Sequence, residues 1–249
     1  MLSRFTPIIT NCGIGQKKWG VQFSAMHLYN SLFQHKIMPV PKYNNIFKMN
    51  EYQHLYNSLV NTSYPLLLGG DHSIGQCSVM SSVYKYNDIK VIWIDAHADI
   101  NTYESSLTKN KHGMPLSGCL GFDKLWFNPL SNKLLNKDNL IYVGLRDLDD
   151  FEDKLISTHN IKRFTTKQCL DYIKNNNKSN YHISFDVDAL DPTILDSTGT
   201  IAKDGLQIKE VSDIIKECNN KLVALDVTEF NIFEGNLEKS ITNLEKVFY

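Results

Sequence analysis

Asp95, His97 and Asp99 alternate within the segment DAHAD, and Asp186 and Asp188 alternate within DVD. Residues two apart in an extended chain point to the same side, so each segment is expected to present its polar side chains together while Ala96 and Ala98 face away. His72 follows Gly69 and Gly70, a pair whose backbone freedom would let the chain bend sharply. If these segments meet, they assemble the carboxylates of Asp95, Asp99, Asp186 and Asp188 with the imidazoles of His72 and His97.

Four crowded carboxylates repel one another and resist ionisation unless a cation joins them. Two divalent ions would balance them and could share a bridging hydroxide. A mixed oxygen and nitrogen set without thiolate favours Mn²⁺ or a similar ion over structural zinc. Each cluster taken alone reads equally as a loop of surface acids or a satisfied core histidine. It is their joint occurrence at the ends of buried runs that points to a metal site.

Such a site needs elements that bring distant segments together. Short apolar runs at Pro65 to Leu68, Val91 to Ile94, Ile141 to Val143, Ile183 to Phe185 and Leu222 to Val227 read as buried strands, with further strands at Phe5 to Thr10 and Ile161 to Phe164. Stretches of helical spacing separate them at Ile74 to Tyr86, Thr166 to Asn175 and Ile208 to Cys218, and a final helix is expected from about Asn236 to Phe248. This alternation implies an α/β fold with a central, mostly parallel sheet covered by helices on both faces. Polar clusters follow the strands: GGDHS, DAHAD, GLRDLD, DVDALDP and TEF. In parallel sheets, ligands bind at that carboxyl-terminal edge.

The 249 residues, 42% hydrophobic and 21% charged, suit a single domain spanning 1–249. Lys and Arg total 26 against 27 Asp and Glu, a net charge of -1, which leaves no basic excess for nucleic acid. No secretory signal opens the chain, and no apolar run approaches the ~18 residues of a membrane span, so a cytoplasmic protein without membrane partners is expected. The cysteines Cys12, Cys77, Cys119, Cys169 and Cys218 are odd in number and scattered, which suggests neither a disulfide framework nor a zinc-thiolate site.

The segments Gly69 to Ser73 (GGDHS), Asp95 to Asp99 (DAHAD) and Ser184 to Pro192 (SFDVDALDP) stand in the order found in the ureohydrolase family of arginases and agmatinases, and the sequence resembles that family from about Thr10 onward. The resemblance implies a three-layer α/β/α fold and a binuclear manganese centre. His72, Asp95, Asp99 and Asp186 would hold one ion, and Asp95, His97, Asp186 and Asp188 the other, with Asp95 and Asp186 bridging. Asp99 would also orient the attacking water, Glu229 would bind the guanidinium, and His112 in HGMP would shuttle protons. In the loop Asn101 to His112, the residues Asn101, Thr108 and Asn110 match those that hold the substrate α-carboxylate. Asp149 and Glu152 match those that hold its α-amino group.

Those hooks suit L-arginine, giving L-ornithine and urea, better than agmatine, which has no α-carboxylate. Three departures touch substrate fit: Thr108 stands for the usual Ser, Asp150 for the usual Pro, and Phe230 with no Pro after Asn231 alters the segment beyond Glu229. Another ureohydrolase, acting on agmatine, guanidinobutyrate or a formimino amino acid, and a catalytically silent arginine-binding or regulatory protein are the alternatives. A related single-zinc deacetylase fits less well, because one zinc would not need the second carboxylate set. Family members form homo-oligomers, trimers or hexamers, but contacts made through a longer carboxyl-terminal tail are expected to be missing from this compact chain.

Overall fold

Residues 2–33 and 40–249 are described by a computed structural model of the chain. The buried apolar runs form strands because their side chains have neighbours on both faces of the sheet. The central strands β3 (Pro65–Leu68), β4 (Lys90–Ile94), β7 (Tyr181–Asp186) and β8 (Leu222–Thr228) are almost wholly buried. β1 (Thr6–Cys12), β5 (Leu140–Val143) and β6 (Lys162–Phe164) occupy the expected positions. An eighth strand, β2 (Lys42–Ile46), was not expected: KYNNI is polar and largely exposed, as suits the sheet edge it occupies.

The sheet order is β2-β1-β3-β8-β7-β4-β5-β6, and every neighbouring pair is parallel. Helices α1 (Ser24–Phe33), α6 (Thr166–Asn175), α7 (Ile208–Cys218) and α8 (Leu237–Phe248) contribute to the core on one face. On the other lie α2 (Tyr52–Val60), α3 (Gly75–Lys85), α4 (Pro115–Leu120) and α5 (Asp150–Thr158). This is the three-layer α/β/α arrangement, with a sheet that is wholly parallel among the described residues. None of the described helices is long and apolar enough to cross a membrane.

Chain order departs from sheet order where β1 lies between β2 and β3, and again where β8 and β7 intervene between β3 and β4. Such a reversal opens a crevice at the carboxyl ends of the strands. Leu68 pairs with Val227, Phe185 with Val227 and Ile94 with Phe185, so the four central strands end at one level. Their next residues therefore emerge side by side. Cross-strand bonds continue beyond the ends, from Gly69 N to Val227 O at 2.8 Å, Asp95 N to Val143 O at 3.0 Å and Glu229 N to Gly70 O at 3.0 Å.

Candidate metal centre and cleft

Gly69 and Gly70 have φ of 82° and 78°, and a Cβ on Gly69 would lie 2.3 Å from the Ala25 side chain. Only glycine makes this turn cheaply, and it delivers His72 into the crevice. Asp71 then caps the 3-10 turn His72–Ile74 by accepting from Ser73 N. The His72 ring stacks on Trp93, centroids 4.1 Å apart and nearly parallel, and its Nε2 lies 2.9 Å from Ser184 Oγ. A proton donated from Nε2 to that hydroxyl leaves the Nδ1 lone pair free. Nδ1 has no hydrogen-bond partner and faces Asp95, Asp99 and Asp186 carboxylate oxygens at 3.0, 3.1 and 3.1 Å.

Asp95 divides its two oxygens between two groups. Oδ2 accepts from Trp93 Nε1 at 3.0 Å and faces His72, whereas Oδ1 accepts from the His97 amide and lies 3.5 Å from His97 Nδ1. His97 Nδ1 also meets Asp188 Oδ2 at 3.1 Å, and its Nε2 lies 3.5 Å from Asp147 Oδ2. Among the described residues, two groups could hold a metal ion: His72, Asp95 and Asp99, and Asp95, His97 and Asp188. Asp95 is common to both. Asp186 meets the first through Oδ2, while its Oδ1 accepts from the Asp188 amide at 2.9 Å, as Asp95 Oδ1 does from the His97 amide at 2.7 Å.

The side chains converge as expected but by a different backbone route. β4 ends at Ile94 and Asp99 has φ of 52°, so DAHAD is not one extended segment. Asp188 sits in the 3-10 turn Val187–Ala189 rather than on a strand end. Asp99 and Glu229, with φ of 64°, are both non-glycine residues in the left-handed region. Backbone strain of that kind persists where the surroundings fix it, often at functional sites.

Burial and mutual repulsion govern the charges. Burial, then the charge of Asp95, pushes the Asp99 and Asp188 carboxyls up to about 6. Asp186 is raised well above the carboxylate range by burial and by Asp188 and Asp95. Burial also acts upward on Asp95, but His72 and His97, when protonated, outweigh it by hydrogen bonding and charge and hold the group low. Buried carboxylates that resist ionisation, beside a lone pair and an Asp99 oxygen without a hydrogen-bond partner, suit a cation. The donor set is oxygen and nitrogen only; all five cysteines are buried, free and outside it.

Beyond these groups opens a cavity of about 440 Å³. His97, Asp99, Asp186, Asp188 and Glu229 line it, and so do Asn101, Thr108, Asn110, His112, Asp149 and Glu152. Glu229 Oε1 accepts from His72 N at 2.7 Å and lies 3.3 Å from His112 Nδ1, while Oε2 accepts from Gln16 Nε2. Burial acts against the charge on both Glu229 and His112, yet their pairing prevails: Glu229 is lowered, and His112 is raised to about 9. At the far end, Ser105 Oγ donates to Asn101 Oδ1 at 2.6 Å, which turns the Asn101 amide to donate to Asp149 Oδ2 at 2.7 Å.

Asp149 and Glu152 also form the capping box of α5, in which Asp149 Oδ1 accepts from Glu152 N at 2.9 Å and Glu152 Oε2 from Asp149 N at 3.4 Å. Asp150, at the first helical position, places a negative charge where the helix dipole favours one. Sequence reasoning assigned no role to Gln16, Asp71, Trp93, Arg146, Asp147 or Ser184. Trp93 and Ser184 each lie two residues before a ligand candidate, and that parity was the available signal. Gln16 arrives from a distant loop and carries no such mark.

A parallel α/β sheet gathers imidazoles and carboxylates at its switch point in a setting that suits metal ions, and this chain belongs to the arginase family, whose model matches residues 17–242. It is 34% identical over 225 residues to an arginase of Plasmodium berghei (strain Anka), a match covering 80% of this chain and 64% of that protein's length. Its fold matches the crystal structure of Entamoeba histolytica arginase in complex with L-ornithine, with TM-score 0.83, 26% identity and coverage of 98% and 97% of the two chains. The fold likewise matches Bacillus caldovelox arginase, with TM-score 0.87, 24% identity and coverage of 98% and 96%.

Proposed function

We propose that this protein is a binuclear manganese hydrolase that converts L-arginine and water into L-ornithine and urea. The observation that carries the reading is Asp95, whose two oxygens face two separate imidazole and carboxylate groups at the base of a cleft that also holds Glu229. His72, Asp95, Asp99 and Asp186 would hold one ion, and Asp95, His97, Asp186 and Asp188 the second. When bound, the pair supplies the positive charge that makes water a nucleophile near neutral pH.

The chain's own residues do the rest. Glu229, held by Gln16 and the His72 amide, offers its charge to the substrate guanidinium, a cation that stays protonated near neutrality. Asp99, a carboxylate of the first group, would accept a hydrogen bond from the attacking water and so orient it. His112, a quarter exposed between Glu229 and solvent, carries protons to the departing amine or to bulk water. Asn101, Thr108 and Asn110 bind the α-carboxylate, and Asp149 and Glu152 the α-amino group. Decarboxylated guanidines would leave the first set without a partner, which disfavours them.

The reading takes residues 1–249 as one catalytic domain, acting in the cytoplasm without nucleic acid. From the family resemblance it assembles as a trimer or hexamer, which light scattering would measure. The deciding experiment is urea release by the manganese-loaded protein given L-arginine or agmatine, with Asp186→Ala as control. Urea from arginine alone, reduced at least a hundredfold in the variant, is the expected outcome. Preference for agmatine would make the protein a different ureohydrolase, and binding of arginine without turnover would make it a binding protein.

A further inference from the structure

Arg146 lies between the two halves of the second group, and all of its donors are taken. Nε donates to Lys203 O at 2.8 Å, one terminal nitrogen to Gly144 O at 2.9 Å and Ala189 O at 3.2 Å, and the other to Asp188 O at 2.7 Å and Ala202 O at 3.0 Å. A guanidinium has five N–H donors in a fixed plane, and here each meets a main-chain carbonyl. The backbone of the same residue completes the brace, because Arg146 N and Asp147 N both donate to Ala96 O at 2.9 Å.

These contacts fall on particular peptides. Ala96 lies between Asp95 and His97, and its own amide donates to Asp188 Oδ1 at 3.3 Å. The Asp188 carbonyl belongs to the residue whose carboxylate meets His97 Nδ1 at 3.1 Å. One residue thus grips the backbone on both sides of the His97 and Asp188 pair. None of the recorded hydrogen bonds of Arg146 reaches His72, Asp99 or Asp186. Loop closure does not depend on it alone: Asp191 N donates to Leu206 O, Leu206 N to Ala189 O, and Gly205 N to Asp191 Oδ2.

We infer that Arg146 is a positioning residue that sets the spacing of His97 and Asp188, the two ligands that belong to the second group alone, and thereby the affinity of the second ion without that of the first. The inference rests on the binuclear reading given above. Lysine keeps the positive charge and a long stem but has three donors on one point and no planar fork, so charge alone cannot restore the brace. Loss of a partner that orients metal ligands costs about 10–100-fold in metal affinity.

The test is manganese binding to Arg146→Lys and Arg146→Met by equilibrium dialysis and titration calorimetry, with melting curves of the metal-free proteins. Two ions per chain are expected for the unaltered protein. For both variants, one ion of unchanged affinity and one weakened about 10–100-fold are expected, with metal-free melting of Arg146→Lys close to that of the parent. Should Arg146→Met fail to fold, Arg146→Lys decides. Two ions of parental affinity in the variant, or equal weakening of both, would overturn the inference. An unaltered protein that takes up fewer than two ions would instead overturn the binuclear reading, and the inference with it.

Discussion

His112 and Glu229 are partners, with Nδ1 and Oε1 3.3 Å apart, and a guanidinium bound at Glu229 would compete for that partnership. The carboxylate supports a His112 pKa of about 9 against the burial of the ring, with smaller help from Asp99 and Asp71. Neutralising the partner removes the main support and leaves burial opposed only by the smaller pull of Asp99 and Asp71. In metal-free Glu229→Gln, the His112 midpoint should therefore fall to the ordinary imidazole value near 6.5 or below it, measured by histidine proton NMR against pH. A midpoint still near 9 would show that Glu229 is not the cause. The sign for stability follows from a raised folded-state pKa. The pair's contribution is fully present below the unfolded imidazole value and is lost as pH rises through about 9. Arginine binding at Glu229 would have the same direction as the substitution, bringing His112 closer to the pH at which it can both take and give a proton.

Elements place the substrate end of the cleft, and there one pair of residues serves two purposes. Asp149 and Glu152 line the cavity and also cap α5. Replacing Asp149 by Asn keeps a good capping oxygen and removes the charge, whereas Ala removes both. Asp149→Asn should raise the KM for arginine about tenfold or more with melting almost unchanged, while Asp149→Ala should add a capping loss of about 1 kcal/mol, roughly 2–4 °C for a chain of this size. If Asn leaves the KM unaltered, Asp149 is a cap only. This double use also explains what could be read from sequence. The apolar runs of the central strands and the helical periods of α3, α6, α7 and α8 were legible because burial leaves a periodic mark. Edge strand β2 was not, since KYNNI meets solvent and has no such mark. The ligand candidates were legible from type and spacing, but the left-handed φ of Asp99 and the turn under Asp188 were not, because long-range packing and hydrogen bonding fix them. Arg146 was invisible for the same reason: its four most distant acceptors are main-chain carbonyls, which leave no trace in side-chain identity.

For the whole molecule, the sheet holds together a set of acids whose repulsion the fold must bear. Asp99 and Asp188, each raised to about 6, and Glu152, raised to about 7 by burial and by Asp99 and Asp149, bind protons more tightly in the folded chain than in the unfolded one. Where the folded state holds more protons, stability falls as pH rises, so between about pH 4 and 7 these groups progressively destabilise the metal-free protein. Asp95 has the opposite sign, but its folded pKa is held low and its effect falls below this window. A bound cation reverses the penalty by favouring the ionised carboxylates, and protons compete with it for the same oxygens. The melting temperature of the manganese-loaded protein should therefore exceed that of the chelated protein, by a margin that is small near pH 4.5 and widens towards pH 7. Scanning calorimetry at fixed ionic strength, with matched manganese and chelator series, measures that margin directly. In Asp95→Asn, which removes the charge shared by the two groups, the margin should shrink at every pH. A margin that stays constant from pH 4.5 to 7 would mean that the cation stabilises the fold without drawing on the carboxylates at the carboxyl ends of β4 and β7.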